Sequence, residues 1–253
     1  VLSGVTNTYD ANVALAIDET QLTGYEFVSI TGDAKCPAVL GGEITLDEGD
    51  DITCTITNDD RAPNLTLIKN PTNDDGGNAS PNSFLLTVGG TGVLSGASNE
   101  YLANTPLAIN ETLLPGYTFV SITGDAKCPD ALGGTVTLAA DDNITCTITN
   151  DDIAPKVIIQ KVLLDDNDGG TLTVDDFYIE YDDIEVTLNG GTTGEITTTA
   201  GLHVIEEDIS ATPGYEFVML GAASSDACVL QAVVDGNPTI NVTLQVGQTY
   251  TCI

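Results

Sequence analysis

Apolar and polar residues alternate with period two along most of the chain. The alternation is sharpest at Ile144-Thr-Cys-Thr-Ile-Thr-Asn-Asp-Asp152, which recurs letter for letter at Ile52–Asp60. Side chains of a strand point to opposite faces in turn, so Ile144, Cys146, Ile148 and Asn150 share one face and Thr145, Thr147 and Thr149 the other. This predicts a half-buried β-strand whose inner row ends in an asparagine and which two acidic residues close. Between residues 61 and 152, further strands are predicted at Leu65–Lys69, Ser83–Val88, Leu107–Glu111, Thr118–Thr123 and Gly134–Leu138. Turns rich in Gly, Asp and Asn separate them at Asn73–Gly77 and Gly89–Gly92. No long helical periodicity appears, and short strands between such turns predict an all-β, Ig-like sandwich.

The strand pattern is repeated. Residues 1–60 laid over 93–152 match at roughly 40 of 60 positions without a gap, and Phe27–Pro37 equals Phe119–Pro129 in every letter. The period, 144 − 52 = 92 residues, is too long for a solenoid and close to one sandwich domain of about 100 residues. The expected organisation is a linear array of tandem β-sandwich domains. Residues 1–60 read as the later part of one, 61–152 as a complete one, and 153–253 as a divergent one whose last strand is incomplete. The ends are therefore expected to continue covalently or to be completed by neighbouring chains. Short joints ending in proline, at Asn58–Pro63 and Asn150–Pro155, favour extended, semi-rigid connections.

Charge narrows the partners. The chain carries 38 acidic and 6 basic residues, a formal charge of −32, which argues against nucleic acid and anionic membranes. No run of apolar residues is long enough to span a bilayer. Six cysteines fall as Cys36/Cys54, Cys128/Cys146 and Cys228/Cys252, with identical spacing in the first two pairs. The repeat favours pairing within each unit, and disulfides imply an oxidising, extracellular or cell-surface setting. Five N-x-S/T sequons, at Asn64, Asn78, Asn110, Asn143 and Asn241, agree with that setting.

Lysine is scarce, so its placement informs. Lys69 shares a strand face with Leu65 and Leu67, and Lys161 with Val157 and Ile159. Glu111 follows Leu107 and Ile109 on one face, as Glu19 follows Leu15 and Ile17; Asn150 and Asn58 end the repeated strand. By parity each complete unit points a Lys, a Glu and an Asn at its interior. An unpaired buried charge is costly and must shift its pKa or find a partner. A lysine kept neutral by apolar surroundings has a further outlet: its amine attacks the Asn carboxamide, the carboxylic acid shuttles the proton, ammonia leaves and an amide crosslink remains. The alternative is that these lysines lie at strand ends and reach water while the Asn caps a turn.

These same residues carry a family resemblance. A Lys on the first strand followed by an Asp/Asn/Gly turn, a Leu-x-Ile-x-Glu strand leading to Pro115-Gly-Tyr117, and a terminal strand ending Ile-Thr-Asn resemble the SpaA-type pilin domains and collagen-binding adhesin B-type repeats, with their prealbumin-like sandwich. The resemblance implies a spontaneous isopeptide bond between Lys69 and Asn150 with Glu111 as acid/base. Glu19 and Asn58 would serve the first unit. Lys161 would serve the third, with an Asn about four positions past Cys252. There Glu206 is expected as the acid, because Leu202, Val204 and Glu206 share a face and choosing Glu207 would turn His203 inward. The cysteine pair is not part of that family's usual pattern.

Two Asp-rich turns, Asn73–Asp75 and Asp165-Asp166-Asn167-Asp168, set oxygen ligands beside glycines, and Asp59, Asp60, Asp151 and Asp152 lie at the joints. Calcium favours such oxygens, although no full EF-hand loop is present; the alternative is a solvated acidic turn. Catalysis has little support: the single histidine, His203, leaves no repeated base for a nucleophile, and no phosphate-binding glycine loop occurs. The expected role is mechanical and extracellular, a tandem-repeat stalk or filament segment of a microbial surface, with copies of itself or neighbouring repeats in a fibre as partners. An adhesin binding a surface ligand through its sandwich loops is the alternative.

Overall fold

The computed structural model describes residues 1–164, 169–218, 225–234 and 237–253. The first sixty residues contribute β1 (Ala14–Ile17), β2 (Tyr25–Gly32), β3 (Gly42–Thr45) and β4 (Cys54–Asp60). The next segment runs β5 (Asn64–Thr72), β6 (Leu85–Val88), β7 (Thr91–Val93), β8 (Ser98–Glu100), β9 (Pro106–Thr112), β10 (Tyr117–Gly124), β11 (Thr135–Thr137) and β12 (Asn143–Asp152). The last holds β13 (Lys156–Ile159), β14 (Tyr178–Tyr181), β15 (Ile184–Val186), β16 (Ile196–Thr197), β17 (Gly201–Asp208), β18 (Cys228–Val234), β19 (Asn237–Leu244) and β20 (Thr249–Cys252). The protein is nearly all β, and the helices among the described residues are single-turn 3₁₀ helices between strands.

In the middle segment two four-stranded sheets face each other, in the orders β10-β12-β5-β8 and β11-β9-β6-β7. The first and last strands, β5 and β12, lie side by side and parallel, from Asn64 opposite Asn143 to Thr72 opposite Asp151. Their inward rows interleave with those of β6 and β9. Leu65, Leu67, Leu86, Val88, Ile109, Val136, Leu138, Ile144, Cys146 and Ile148 form one buried cluster. Burial alternates along β12 as the sequence pattern requires, with Ile144, Cys146, Ile148, Asn150 and Asp152 inside. Two short strands, β7 and β8, fall where the sequence pattern shows only turn residues.

The same scheme returns elsewhere with different completeness. Tyr25 opposite Asp60, with a bulge between Phe27 and Ser29, repeats Tyr117 opposite Asp152, with a bulge between Phe119 and Ser121. Yet β4 pairs only with β2 among the described strands. Ile52, just before β4, and Cys54 and Ile56 within it are half-buried, and Asn58 is exposed, although the letters match β12. The last segment has its own buried cluster, including Val157, Ile159, Ile179, Ile205, Ile240, Val242, Leu244 and Cys252. Its β13 runs parallel to β20 with Ile159 opposite Cys252, the relation Leu67 has to Cys146.

Three disulfides join the cysteine pairs, Cys36–Cys54, Cys128–Cys146 and Cys228–Cys252, with Cα separations of 5.7, 5.7 and 5.8 Å. The first two tie a loop, and the third the start of β18, to the last strand of the segment; closing a loop of 18 residues is worth on the order of 3 kcal/mol.

Gly124 closes β10 at φ +130°, where a Cβ would lie 2.2 Å from the Thr145 carbonyl oxygen. Gly133, at φ +80°, has open space around it. Gly124→Ala is expected to destabilise the middle segment by about 3 kcal/mol and Gly133→Ala by only about 1 kcal/mol, read from urea unfolding midpoints.

Candidate functional site

Three strands bring three polar side chains to one point in the middle segment. Strand β5 turns Lys69 inward after Leu65 and Leu67, β9 turns Glu111 inward after Ile109, and β12 adds Asn150 after Ile148. Parallel register sets Lys69 opposite Ile148 and Asn150 opposite Pro71, so the Lys and Asn side chains meet across the β5–β12 seam. The Lys69 amine donates to Glu111 Oε2 at 2.6 Å and to Asn150 Oδ1 at 2.5 Å; Asn150 Nδ2 donates to Glu111 Oε1 at 2.6 Å. The three groups thus form a closed ring. The Lys69 and Glu111 side chains are 0% exposed, and Asn150 is fully buried.

Below the amine lies the Phe84 ring, its centroid 4.2 Å from Nζ. Cation–aromatic contact and the carboxylate both favour the charged amine. Removal from water works against it and is the larger effect: burial pushes the Lys69 pKa below its ordinary value, with Glu111 opposing. Phe84 in turn meets Tyr117 edge-on, with centroids 5.5 Å apart. Tyr117 donates its hydroxyl to Asn73 Oδ1 at 2.5 Å and accepts from the Ala79 N–H at 2.9 Å. Asp152 accepts from the Asp75 and Gly77 N–H groups at 3.1 and 2.6 Å. The turn after β5 is thereby fastened to the end of β12. Neither the aromatic floor nor this fastening is legible in strand parity, although a Phe follows each inward Lys at nearly the same distance, Phe84 after Lys69 and Phe177 after Lys161.

The last segment holds a related pair. Lys161 donates to Glu207 Oε1 at 2.5 Å, and Phe177 lies 4.2 Å from its Nζ. The expectation of Glu206 is corrected here. His203, Ile205 and Glu207 form the inward row of β17, while Leu202 is exposed and Glu206 only half-buried, taking a hydrogen bond from Asn237 at 3.3 Å. His203 tolerates burial because both ring nitrogens have oxygen partners, Asp182 Oδ2 at 2.6 Å and the Thr199 carbonyl at 2.8 Å, and because it stacks on Tyr181. Beside Lys161 lies a cavity of about 690 Å³ lined by Ile159, Phe177, Glu207, Phe217 and Ile240. The Lys161 side chain is 14% exposed, against 0% for Lys69. In the first segment Asn58 Nδ2 donates to Glu19 Oε2 at 3.0 Å near the surface.

The acidic turns are only partly brought together. Carboxylate oxygens of Asp74, Asp151 and Asp152 all lie within 4.8 Å of one another. Burial first, and then Asp74, pushes the Asp151 carboxyl above its usual range. Asp151 Oδ1 is buried without a partner, whereas both Asp152 oxygens cap the turn. Three side chains fall short of the six to eight oxygens of a calcium shell. Asn73 is taken up by Tyr117 and by the Ala79 carbonyl, and Asp75 meets the cluster through its backbone. Asp165, Asp166, Asn167 and Asp168 lie outside the described residues. Of the sequon asparagines, Asn78, Asn110 and Asn143 are exposed and Asn64 and Asn241 half-buried.

Residues 60–148 match the family model of the prealbumin-like fold domain, SpaA-type, the family that the Lys, Glu and Asn motifs resemble. That stretch contains the middle sandwich almost whole, and its fold is prealbumin-like. Among solved structures, the Bacillus anthracis TIE protein is similar at 10% identity over 95% of this chain and 52% of its own, with a TM-score of 0.39. The major pilin protein of a Streptococcus pyogenes serotype is similar at 13% identity over 53% of this chain and 64% of its own, with a TM-score of 0.27. The chain thus spans about half to two thirds of these structures. No curated protein matches it.

Glu207→Ala leaves Lys161 without its carboxylate and is expected to cost about 3 kcal/mol of stability in the last segment, whereas Glu206→Ala stays within about 0.5–1 kcal/mol. Thermal unfolding of the two variants, side by side, decides between the two glutamates.

Proposed function

We propose that this chain is a structural segment of an extracellular, cell-surface stalk or filament of the pilin and adhesin type. It is built of sandwich units bounded near residues 60 and 152 and serves a mechanical rather than a catalytic role. The observation that carries the reading is the ring of Lys69, Glu111 and Asn150. A buried ion pair is weak evidence for stability, since desolvation offsets much of its attraction. Placing a lysine amine against a carboxamide and a carboxylate, out of water, has a chemical use. Glu111 takes one proton from the ammonium and keeps it, the neutral Lys69 Nζ bonds to Asn150 Cγ, the Cγ–Nδ2 bond breaks, and a second Nζ proton passes to the departing nitrogen, which leaves as ammonia. Oxidation states are unchanged. The product is an amide that ties the first strand to the last and removes the buried charges.

Other observations support this reading. The prealbumin-like match over residues 60–148 fits surface proteins of this kind. Three disulfides suit an oxidising exterior. Among the described residues no helix is long and apolar enough to cross a membrane. Neighbouring units, within the chain or in other copies, are the partners a fibre needs.

Intact mass after reduction of the disulfides tests the crosslink. The expected result is a deficit of about 17 Da, one ammonia, with a crosslinked peptide joining the Lys69 and Asn150 regions. Glu111→Ala is expected to restore the full mass while the disulfides still form. A wild-type chain of unchanged mass, with separate Lys69 and Asn150 peptides, overturns the proposal.

A further inference from the structure

The junctions near residues 61 and 153 are built alike. The Arg61 N–H donates to the Gly24 carbonyl at 2.9 Å, and the Arg61 carbonyl accepts from the Asp141 N–H at 2.9 Å. Ile153 repeats both bonds: its N–H donates to the Gly116 carbonyl at 2.9 Å and its carbonyl accepts from the Gly247 N–H at 2.6 Å. Three residues on, Asn64 N–H donates to the Asp142 carbonyl at 2.7 Å and Lys156 N–H to the Gln248 carbonyl at 2.9 Å. In each case the residue between segments gives its donor to the segment before it and its acceptor to the segment after it.

The two surfaces it joins also recur. Gly24 and Gly116 take left-handed φ values of +86° and +84° in turns closed by Tyr25 N–H to Leu22 and Tyr117 N–H to Leu114. Asp141 and Gly247 take φ values of 66° and 71° in turns closed by Asp142 N–H to Ala139 and Gln248 N–H to Gln245. The turns touch: a Cβ at Gly24 would lie 3.1 Å from Ala140 Cβ, and one at Gly116 would lie 2.5 Å from Val246 Cγ2. Side chains at matching positions differ, Arg61 against Ile153 and Ala140 against Val246, while the backbone bonds stay the same. At the second junction the Ala200 N–H also donates to the Asp75 carbonyl at 2.7 Å. The Arg61 contacts with Glu26 and Asp141, at 3.4 and 3.7 Å, are half-exposed and add little.

We infer that the Gly-Tyr turn of each segment is a docking surface for the left-handed turn of the following segment. The linker residue acts as a two-sided pin, so successive segments are set at one repeated angle in a stiff rod. The inference rests on reading the chain as successive sandwich units. Its partner is defined by backbone shape: a unit of the same kind, presenting a left-handed residue whose N–H points outward. A linker of a few residues with its polar groups in water would leave the units free to turn. Here donor and acceptor are both engaged, and the glycine leaves no room for movement towards the neighbouring turn. Gly49 and Gly214 occupy the matching turn positions, and a Cβ at either would meet nothing within 4 Å among the described residues.

Amide exchange and residual dipolar couplings on the whole chain test this. The N–H groups of Arg61, Asp141, Ile153 and Gly247 are expected to exchange about tenfold or more slowly than that of Gly49, and one alignment tensor should fit all three segments. Ile153→Pro removes the donor to Gly116, whereas Ile153→Ala keeps it. The proline variant is expected to give the last segment its own tensor, and the alanine variant to leave a single one. Separate tensors in the wild type, or a single tensor and unchanged Gly247 protection in the proline variant, overturn the inference. Failure of the unit reading itself looks different: the proline variant would then shift amides throughout both cores, including Ile148 and Val242, instead of only those at the joint.

Discussion

Parallel pairing of β5 with β12 is the constraint on which the middle segment depends. Strands that begin and end the sandwich are placed side by side, so contacts around Lys69 and Asn150 close a loop of some eighty residues (sequence separation 81). Such long-range closure is entropically costly and is rewarded only when β6 and β9 are also in place to bury the inner rows. Once formed, the seam sets everything nearby. It aligns Asn150 with the lysine, carries Cys146 to Cys128, and holds Asp152 where it caps the turn that follows β5.

The polar ring is tolerable only because every member is engaged. Lys69, Glu111 and Asn150 each meet the other two, and Phe84 covers the amine from below. Taking one away strands the others in a region without water, where an unpaired charge costs several kcal/mol, about 3–5 by comparison with other buried pairs. The last segment keeps the lysine, the carboxylate and the aromatic floor. There the lysine side chain is 14% exposed.

Much of this was legible in the sequence because period two is a strong signal where one sheet face is buried. Strand positions in the middle segment, the inward rows of β5, β9 and β12, and the pairing of cysteines follow from alternation and repetition. Parity failed where an inward row contains polar residues. In β17 the apolar Leu202 and Val204 faced outward, while His203 faced inward, because two oxygen acceptors and a stacked Tyr181 offset its burial. Strands β7 and β8 were missed because three residues beside glycines carry no period. The acidic cluster was only half visible: Asp74 comes from a turn and Asp151 and Asp152 from a strand end 77 positions later (151 − 74), and no local pattern links them.

The chain enters the middle sandwich at one end of β5 and leaves at the opposite end of β12, and the two strands point the same way. Tension applied along the protein therefore runs lengthwise through their seam. Nine facing pairs would have to slide past one another together, because none lies at a corner from which the ladder could be peeled bond by bond. The sandwich is thus oriented like a lap joint, strongest along the line in which a tether would pull it.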